Sequence, residues 1–228
     1  MDIIESIRSA FSPPHRVGYP FIVGGAVVWL FGLFVAGWLA WLGFAFALFC
    51  LFFFRDPHRV APPRPSVLLA PADGRVVLVD QAVPPEALGL PDVAVPRVAI
   101  FLSVLDVHVN RVPASGVITR IAYRHGKFLN AAHDKAADDN ERNALAMRLD
   151  NGAVIAVVQI AGLIARRIVC TAHEGDHLSA GERFGIIRFG SRTDLYLPPG
   201  TNPLVAVGQR MVGGETVIAD LTDLVAPA

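Results

Sequence analysis

The bond between Gly190 and Ser191 is where covalent chemistry is easiest to write for this chain. It lies between two strand-like segments, 185–189 and 194–197, and taken alone a Gly-Ser pair there reads as an ordinary β-turn. A serine hydroxyl can also attack the carbonyl that precedes it, turning the amide into an ester by an N-to-O acyl shift. Elimination of that ester leaves dehydroalanine, and hydrolysis then leaves a pyruvoyl cap. Glycine on the acyl side keeps the carbonyl unhindered and tolerates the strained backbone such an attack needs. A pyruvoyl ketone can form a Schiff base with an amine and take up carbanion electrons, as pyridoxal phosphate does. Only serine, threonine or cysteine could begin this sequence.

Three further groups have chemistry open to them. His108 lies in an alternating segment, where a hydrogen-bonded strand histidine is the plain reading. An imidazole's ordinary pKa of about 6.5 also suits general acid/base work at neutral pH. Asp73, between Pro71-Ala72 and Gly74, reads first as a turn aspartate capping its own backbone. His173-Glu174-Gly175-Asp176-His177 matches His-Glu-x-x-His, which binds zinc when helical spacing puts both histidines on one face. Gly175 and Asp176 are poor helix formers, the segment before them reads as strand, and no convincing third ligand follows. A membrane-tethered zinc hydrolase using His173, Glu174 and His177 is therefore the alternative, beside a non-catalytic membrane-tethered binding module.

These groups need a scaffold, and the pattern predicts a β-rich one. Pro57 and the Pro62-Pro63-Arg64-Pro65 stretch mark a stiff passage, beyond which short strands alternate with glycine and proline. Strands are predicted over 75–80, 97–104, 116–124, 144–149, 153–160, 166–171, 184–189, 194–197 and 216–219. Asp150-Asn151-Gly152 signals a hairpin, since Asn-Gly suits a type I′ turn. The polar stretch 130–143 suits a helical turn or an exposed loop. Glycine-rich turns at 174–182 and 207–215 share a rhythm found in compact β-barrel and sandwich-hybrid folds. The expectation is one mainly β domain of that kind over 60–228, preceded by a hydrophobic helical hairpin.

The hairpin is read from residues 17–54, which are 38 residues without Asp, Glu, Lys, Arg or His. One helix of that length would measure roughly 57 Å against a hydrocarbon core of about 30 Å. Two short helices near 18–33 and 38–54 fit better, with Gly32 and Gly37 available for the reversal. Arg8 and Arg16 precede the run and Arg55, Arg59 and Arg64 follow it, so both ends prefer the cytoplasm. Trp29, Trp38 and Trp41 would gather near the turn at the far interface. The run is too long for a signal-peptide core and lacks a polar face for a soluble helix pair. Residues 1–59 are thus expected to be a membrane anchor, with the domain over 60–228 on the cytoplasmic side.

Over its 228 residues the chain balances 20 basic against 20 acidic side chains, which implies no bulk attraction to nucleic acid. Its two cysteines, Cys50 and Cys170, form no Cys-x-x-Cys motif and no disulfide framework.

The run Gly-Glu-Arg-Phe-Gly-Ile-Ile-Arg-Phe-Gly-Ser over 181–191 resembles the self-cleavage site of the phosphatidylserine decarboxylases. Other segments agree: Phe53-Phe54-Arg55-Asp56-Pro57-His58-Arg59, Pro71-Ala72-Asp73-Gly74, and Asp106-Val107-His108-Val109-Asn110-Arg111-Val112-Pro113. So do Gly126-Lys127-Phe128-Leu129-Asn130-Ala131, Asn140-Glu141-Arg142-Asn143 and Gln159-Ile160-Ala161-Gly162. The resemblance runs from about 53 to 220 and is to the short bacterial and archaeal form. It implies cleavage between Gly190 and Ser191 into a β fragment, 1–190, and an α fragment, 191–228, that stay associated. It implies a covalent pyruvoyl cofactor made from Ser191 with no metal, and a phospholipid substrate decarboxylated from phosphatidylserine to phosphatidylethanolamine. It also implies that Asp73 helps activate the serine and that His108 moves the proton. Longer members carry a second histidine, implicated in a serine–histidine–aspartate relay, where this chain has Arg111. Either His108 serves both maturation and decarboxylation, or maturation here needs no histidine relay.

Overall fold

The apolar run folds as two antiparallel helices, α1 (Tyr19–Val35) and α2 (Gly37–Phe53), in a computed structural model that describes residues 12–126, 140–162, 167–188 and 191–222. The chain divides into two compact units, Met1–His58 and Arg59–Ala228. In the first, the reversal falls on Ala36, whose backbone is extended at φ −161° and ψ 124°. Gly32 does not make the turn, as the sequence had suggested. It lies inside α1, where any Cβ would overlap the backbone of Ala40, and Gly43 meets Trp29 in the same way. Small residues thus let the two helix backbones touch, the packing that serves where burial from water supplies no drive. The outer surface stays apolar, with Phe34 89% and Trp41 72% exposed. The two ends clasp each other: His15 N–H donates to Phe54 O at 2.6 Å and Asp56 N–H to Pro13 O at 2.9 Å. With its short lead-in, the first helix spans Arg16–Val35, long and apolar enough to cross a bilayer; the second is shorter.

The second unit is built from thirteen strands among the described residues. In chain order they are β1 (Val67–Leu69), β2 (Gly74–Ala82), β3 (Val95–Leu102), β4 (Val109–Arg111), β5 (Gly116–Arg124), β6 (Arg142–Leu149) and β7 (Val154–Ala161). There follow β8 (Ile168–Cys170), β9 (His177–Leu178), β10 (Arg183–Ile187), β11 (Ser191–Tyr196), β12 (Arg210–Met211) and β13 (Val217–Asp220). Eight form one curled antiparallel sheet in the order β12-β2-β3-β11-β7-β6-β5-β9. Three more form β4-β10-β8, and β1 pairs with β13. The chain is mainly β behind an N-terminal helical pair, the class the sequence led us to expect.

Alternation sorts the large sheet into two faces. On one, Leu195, Val98, Ile100, Val157, Leu145 and Met147 join Phe184 and Ile218 from the smaller sheets in the main core. On the other, Tyr196, Val95, Ala156, Val158 and Ala144 pack with Leu88.

Two sequence expectations shift. The strand placed at 194–197 begins at Ser191: Arg192 and Thr193, which disguised its start, are paired within the fold to Asp194 and Asn110. The Asn-Gly hairpin exists between β6 and β7 but closes over three residues rather than as a two-residue type I′ turn. Leu149 N–H donates to Ala153 O at 2.8 Å, Gly152 N–H returns to Leu149 O at 2.9 Å, and Gly152 takes φ 84°. The stretch 130–143 lies outside the described residues up to 139.

Candidate active site

Ser191 opens β11, the strand held on both sides near the middle of the large sheet: Leu102 of β3 is its partner on one side and Ala161 of β7 on the other. It is fully buried, and among the described residues nothing hydrogen-bonds its Oγ. A buried hydroxyl left so costs about 1–3 kcal/mol, which marks the position as one with a use beyond packing. An orphaned serine oxygen beside the small Ala161 fits the precursor of a pyruvoyl group. Gly190 and Phe189 lie outside the described residues.

His108 immediately precedes β4 and is also fully buried. Its Nδ1 lies 3.0 Å from the carbonyl oxygen of Asp106, and a carbonyl only accepts, so Nδ1 carries the hydrogen. Proton exchange is thereby assigned to Nε2. The turn beneath is braced by the Asp106 carboxylate, which accepts from Ser103 N–H at 2.9 Å and Ser103 Oγ at 2.6 Å and pairs with Arg210 Nη2 at 3.0 Å. His108 and Asn110 share one face of the strand, two residues apart. Asn110 reaches Thr193 and Gln159, while Ile187, whose N–H donates to His108 O at 3.2 Å, packs on Ala161. Asn110 and Ile187 thus tie the segment that carries His108 to β7 and β11, the strands of Ala161 and Ser191.

Asp73 is held elsewhere. Its Oδ2 accepts from Arg59 Nη2 and its Oδ1 from Gly213 N–H, each at 2.8 Å. Gly74 beside it pairs with Met211 and takes φ 145°, where a Cβ would overlap Phe101 O. Since Arg75 pairs with Phe101 and Phe101 with Arg192, β3 stands between Asp73 and the serine. Two strand spacings are roughly 10 Å, so no direct bond joins them. Arg111 is buried in the same corner, donating Nη1 to Gly181 O at 2.9 Å beside Gly214, whose φ of 79° and missing Cβ leave it room. A guanidinium stays protonated, so Arg111 relays no proton.

The His-Glu-x-x-His pattern does not form a helix. His173, Glu174 and Asp176 make a tight turn with Gly175 at φ 92°, and His177 opens β9. His173 N–H donates to Asp176 Oδ2 at 2.8 Å, Glu174 Oε1 accepts from Ile121 N–H at 2.7 Å, and His177 Nε2 sits 2.9 Å from Asp150 Oδ1. Each member faces a different partner. The zinc-hydrolase alternative loses the geometry on which it depended.

The site also contains groups that carry no role in the sequence reading. Asn143 Nδ2 donates to Gln159 Oε1 at 2.9 Å, Gln159 Nε2 to Asn110 Oδ1 at 2.8 Å, and Asn110 Nδ2 to Thr193 Oγ1 at 3.4 Å. Lone amides at inward positions of apolar strands were the available signal. Nearby, Glu141 accepts from Tyr123 Oη at 2.7 Å and Ile168 N–H at 3.1 Å. Burial first, and then that hydrogen bond, push the Tyr123 phenol up to about 12. Burial, reinforced by neighbouring Arg167, lowers the pKa of Arg188 three residues before the serine. On the opposite face, Arg192 Nε and Nη2 donate to Asp194 at 2.6 and 2.8 Å. Arg97 joins Asp194 at 3.4 Å to Asp80 at 2.7 Å, and the hydrogen bond to Asp80 is the main reason its pKa is raised.

The sequence profile for phosphatidylserine decarboxylase matches residues 46–219. The chain belongs to the phosphatidylserine decarboxylase family. Among curated relatives, a phosphatidylserine decarboxylase proenzyme from Granulibacter bethesdensis is 64% identical over 222 residues, covering 97% of this chain and 91% of that one. Those of Gluconobacter oxydans and Gluconacetobacter diazotrophicus are 57% and 58% identical, each over 226 residues, 97% of this chain and 100% of theirs. Family membership thus covers both the anchor-like helices and the β unit.

Proposed function

We propose that this chain is a membrane-associated phosphatidylserine decarboxylase that cuts itself between Gly190 and Ser191 and releases carbon dioxide and phosphatidylethanolamine. The observation that carries this reading is the Ser191 hydroxyl, fully buried and without a hydrogen bond among the described residues, at the head of a strand fixed on both sides. Family membership sets aside the passive binding module.

Maturation begins with Ser191 Oγ bonding to the Gly190 carbonyl carbon as the C–N bond breaks, the hydroxyl proton passing to the nitrogen. β-Elimination then frees 1–190 with a new carboxylate and leaves dehydroalanine at 191, whose hydrolysis sheds ammonia. A pyruvoyl group there supplies a carbonyl for the substrate's amine and an acceptor for the electron pair left by departing carbon dioxide. The surrounding residues exclude water and hold geometry. His108 Nε2 delivers the proton to the α-carbon, since Nδ1 is engaged by Asp106 O. Asp73 acts on Ser191 across β3 through the charge it carries, not by contact. The fragments stay together because β11 keeps both its neighbours. The α1–α2 hairpin tethers the enzyme, with Arg16, Arg55, Arg59 and Arg64 holding the β unit on the cytoplasmic side. A tether raises the effective concentration of a membrane-borne substrate.

Denaturing mass spectrometry of the purified protein tests the central claim. Two fragments, 1–190 and a pyruvoyl-capped 191–228, are expected; only uncut chain with an ordinary serine would overturn it.

A further inference from the structure

We infer that Asn110 is a positioning residue that fixes His108 above Ser191, through a chain of buried amides crossing four strands; this rests on the function proposed above. Asn143 on β6, Gln159 on β7, Asn110 on β4 and Thr193 on β11 are each at most 1% exposed. In the large sheet Asn143 pairs with Gln159 and Gln159 with Thr193, so three of the four share a row. That row lies one pleat, roughly 7 Å, from the row of Ala161 and Ser191. Asn110 comes from the other sheet and closes the chain from above. Its amide can satisfy both neighbours in one orientation only, taking a proton from Gln159 and giving one to Thr193.

Backbone bonds such as Arg111 N–H to Pro71 O at 2.9 Å and Ile187 N–H to His108 O at 3.2 Å also hold β4, but the amide chain is the side-chain tie that joins it to β7 and β11. β4 has three residues, and its pairing with β10 is interrupted by a register shift between Arg183 and Gly185. Gly185 makes way for the amides: a Cβ there would come within 3.1 Å of Gln159 Nε2. His108 hangs two residues from Asn110 on the same face. Any slip of Asn110 along Gln159 and Thr193 is passed directly to the imidazole. A proton delivered at Nε2 tolerates little misplacement, because the transfer needs hydrogen-bond reach.

The test uses full-length protein in detergent or phosphatidylserine vesicles, with rates divided by the amount of processed small fragment. Asn110→Ala should lower kcat per processed site at least tenfold while KM changes less than twofold. Asn110→Asp keeps an acceptor for Gln159, lets the Thr193 hydroxyl turn and donate, and adds a negative charge one pleat from His108. It should retain more activity than the alanine variant and move the histidine limb of the kcat–pH profile upward by about one unit. Should the alanine variant remain uncut, the aspartate variant carries the test alone. Wild-type kcat and pH profile in the processed aspartate variant, with only thermal stability lowered, would make the amide chain structural and overturn the inference. Failure of the wild-type protein to decarboxylate phosphatidylserine would instead sink the proposed function, so the two failures are distinguishable.

Discussion

The two faces of β11 solve the same problem in opposite ways. Ser191 and Thr193 look toward the main core, where Thr193 meets a neutral amide and the Ser191 hydroxyl has no hydrogen bond among the described residues. Arg192 and Asp194, the alternating residues, look the other way into an ionic ladder that runs through Arg97 to Asp80. All four are buried. Charges in low dielectric persist only when paired, so the ladder face has no group to spare for chemistry. Neutral amides impose orientation without a strong field, so the serine face suits the reactive oxygen that the proposed function assigns to it. One strand thus separates the task of holding together from the task of reacting.

The sharpest break in this comparison is Ser191→Ala, which should abolish both cleavage and decarboxylation, read by mass spectrometry and by carbon dioxide release. Turnover by an uncut alanine variant would remove the serine face from the chemistry altogether. His108→Ala comes next: on the processed fraction, kcat should fall by about 10²- to 10⁴-fold with substrate binding retained. Full activity there would shift suspicion to His125 or His133, the second of which lies outside the described residues. Asp194→Asn attacks the other face and should cost about 3–5 kcal/mol in denaturant unfolding, because it removes the buried carboxylate that pairs with both Arg192 and Arg97. Turnover per processed molecule should hold within a few-fold; a collapse of turnover at unchanged stability would dissolve the division between the faces. A smaller effect belongs to Tyr123. Its folded-state pKa, about 12, lies above the ordinary value near 10, so its stabilisation is complete below pH 10 and lost as pH rises toward 12. A Tyr123→Phe variant should show a flatter alkaline decline in unfolding midpoint than wild type. Last, His173→Ala and His177→Ala should change stability by no more than about 0.5 kcal/mol and leave activity unaltered by chelators.

The helical pair and most long strands could be read from residue pattern because each leaves a local trace. The strand 116–124 was placed to the residue. β1, β4, β9 and β12 were missed because two or three residues are too few to show a period of two. β11 starts three residues earlier than the sequence pattern suggests: Ser-Arg-Thr after a glycine looks like a turn unless Asp194 is known to receive Arg192 and Asn110 to reach Thr193. The sequence reading singles out His108 for proton transfer, yet the carbonyl of Asp106 that takes up its Nδ1 depends on a turn that spacing does not reveal. Asp73 shows the reverse. Its turn was legible, while its distance from Ser191 depends on how β2, β3 and β11 are ordered, which no local pattern encodes. The misplaced reversal at Gly32 has a similar origin, since a glycine suited to a turn is equally suited to helix contact.

A cut at the first residue of β11, as proposed above, would change the order of the folding reaction. Before cleavage the strand reaches its slot between β3 and β7 as part of one chain, a first-order event independent of protein concentration. Afterwards the same strand would belong to a separate 38-residue piece, 191–228, and regaining the slot from a denatured mixture would become second order. Native enzyme would lose nothing, because the ladders on both sides of the strand are already formed. Once fully denatured, however, it would recover slowly at low concentration, with hysteresis between unfolding and refolding that the uncut Ser191→Ala chain lacks. Maturation would then act as a ratchet that secures the active enzyme kinetically.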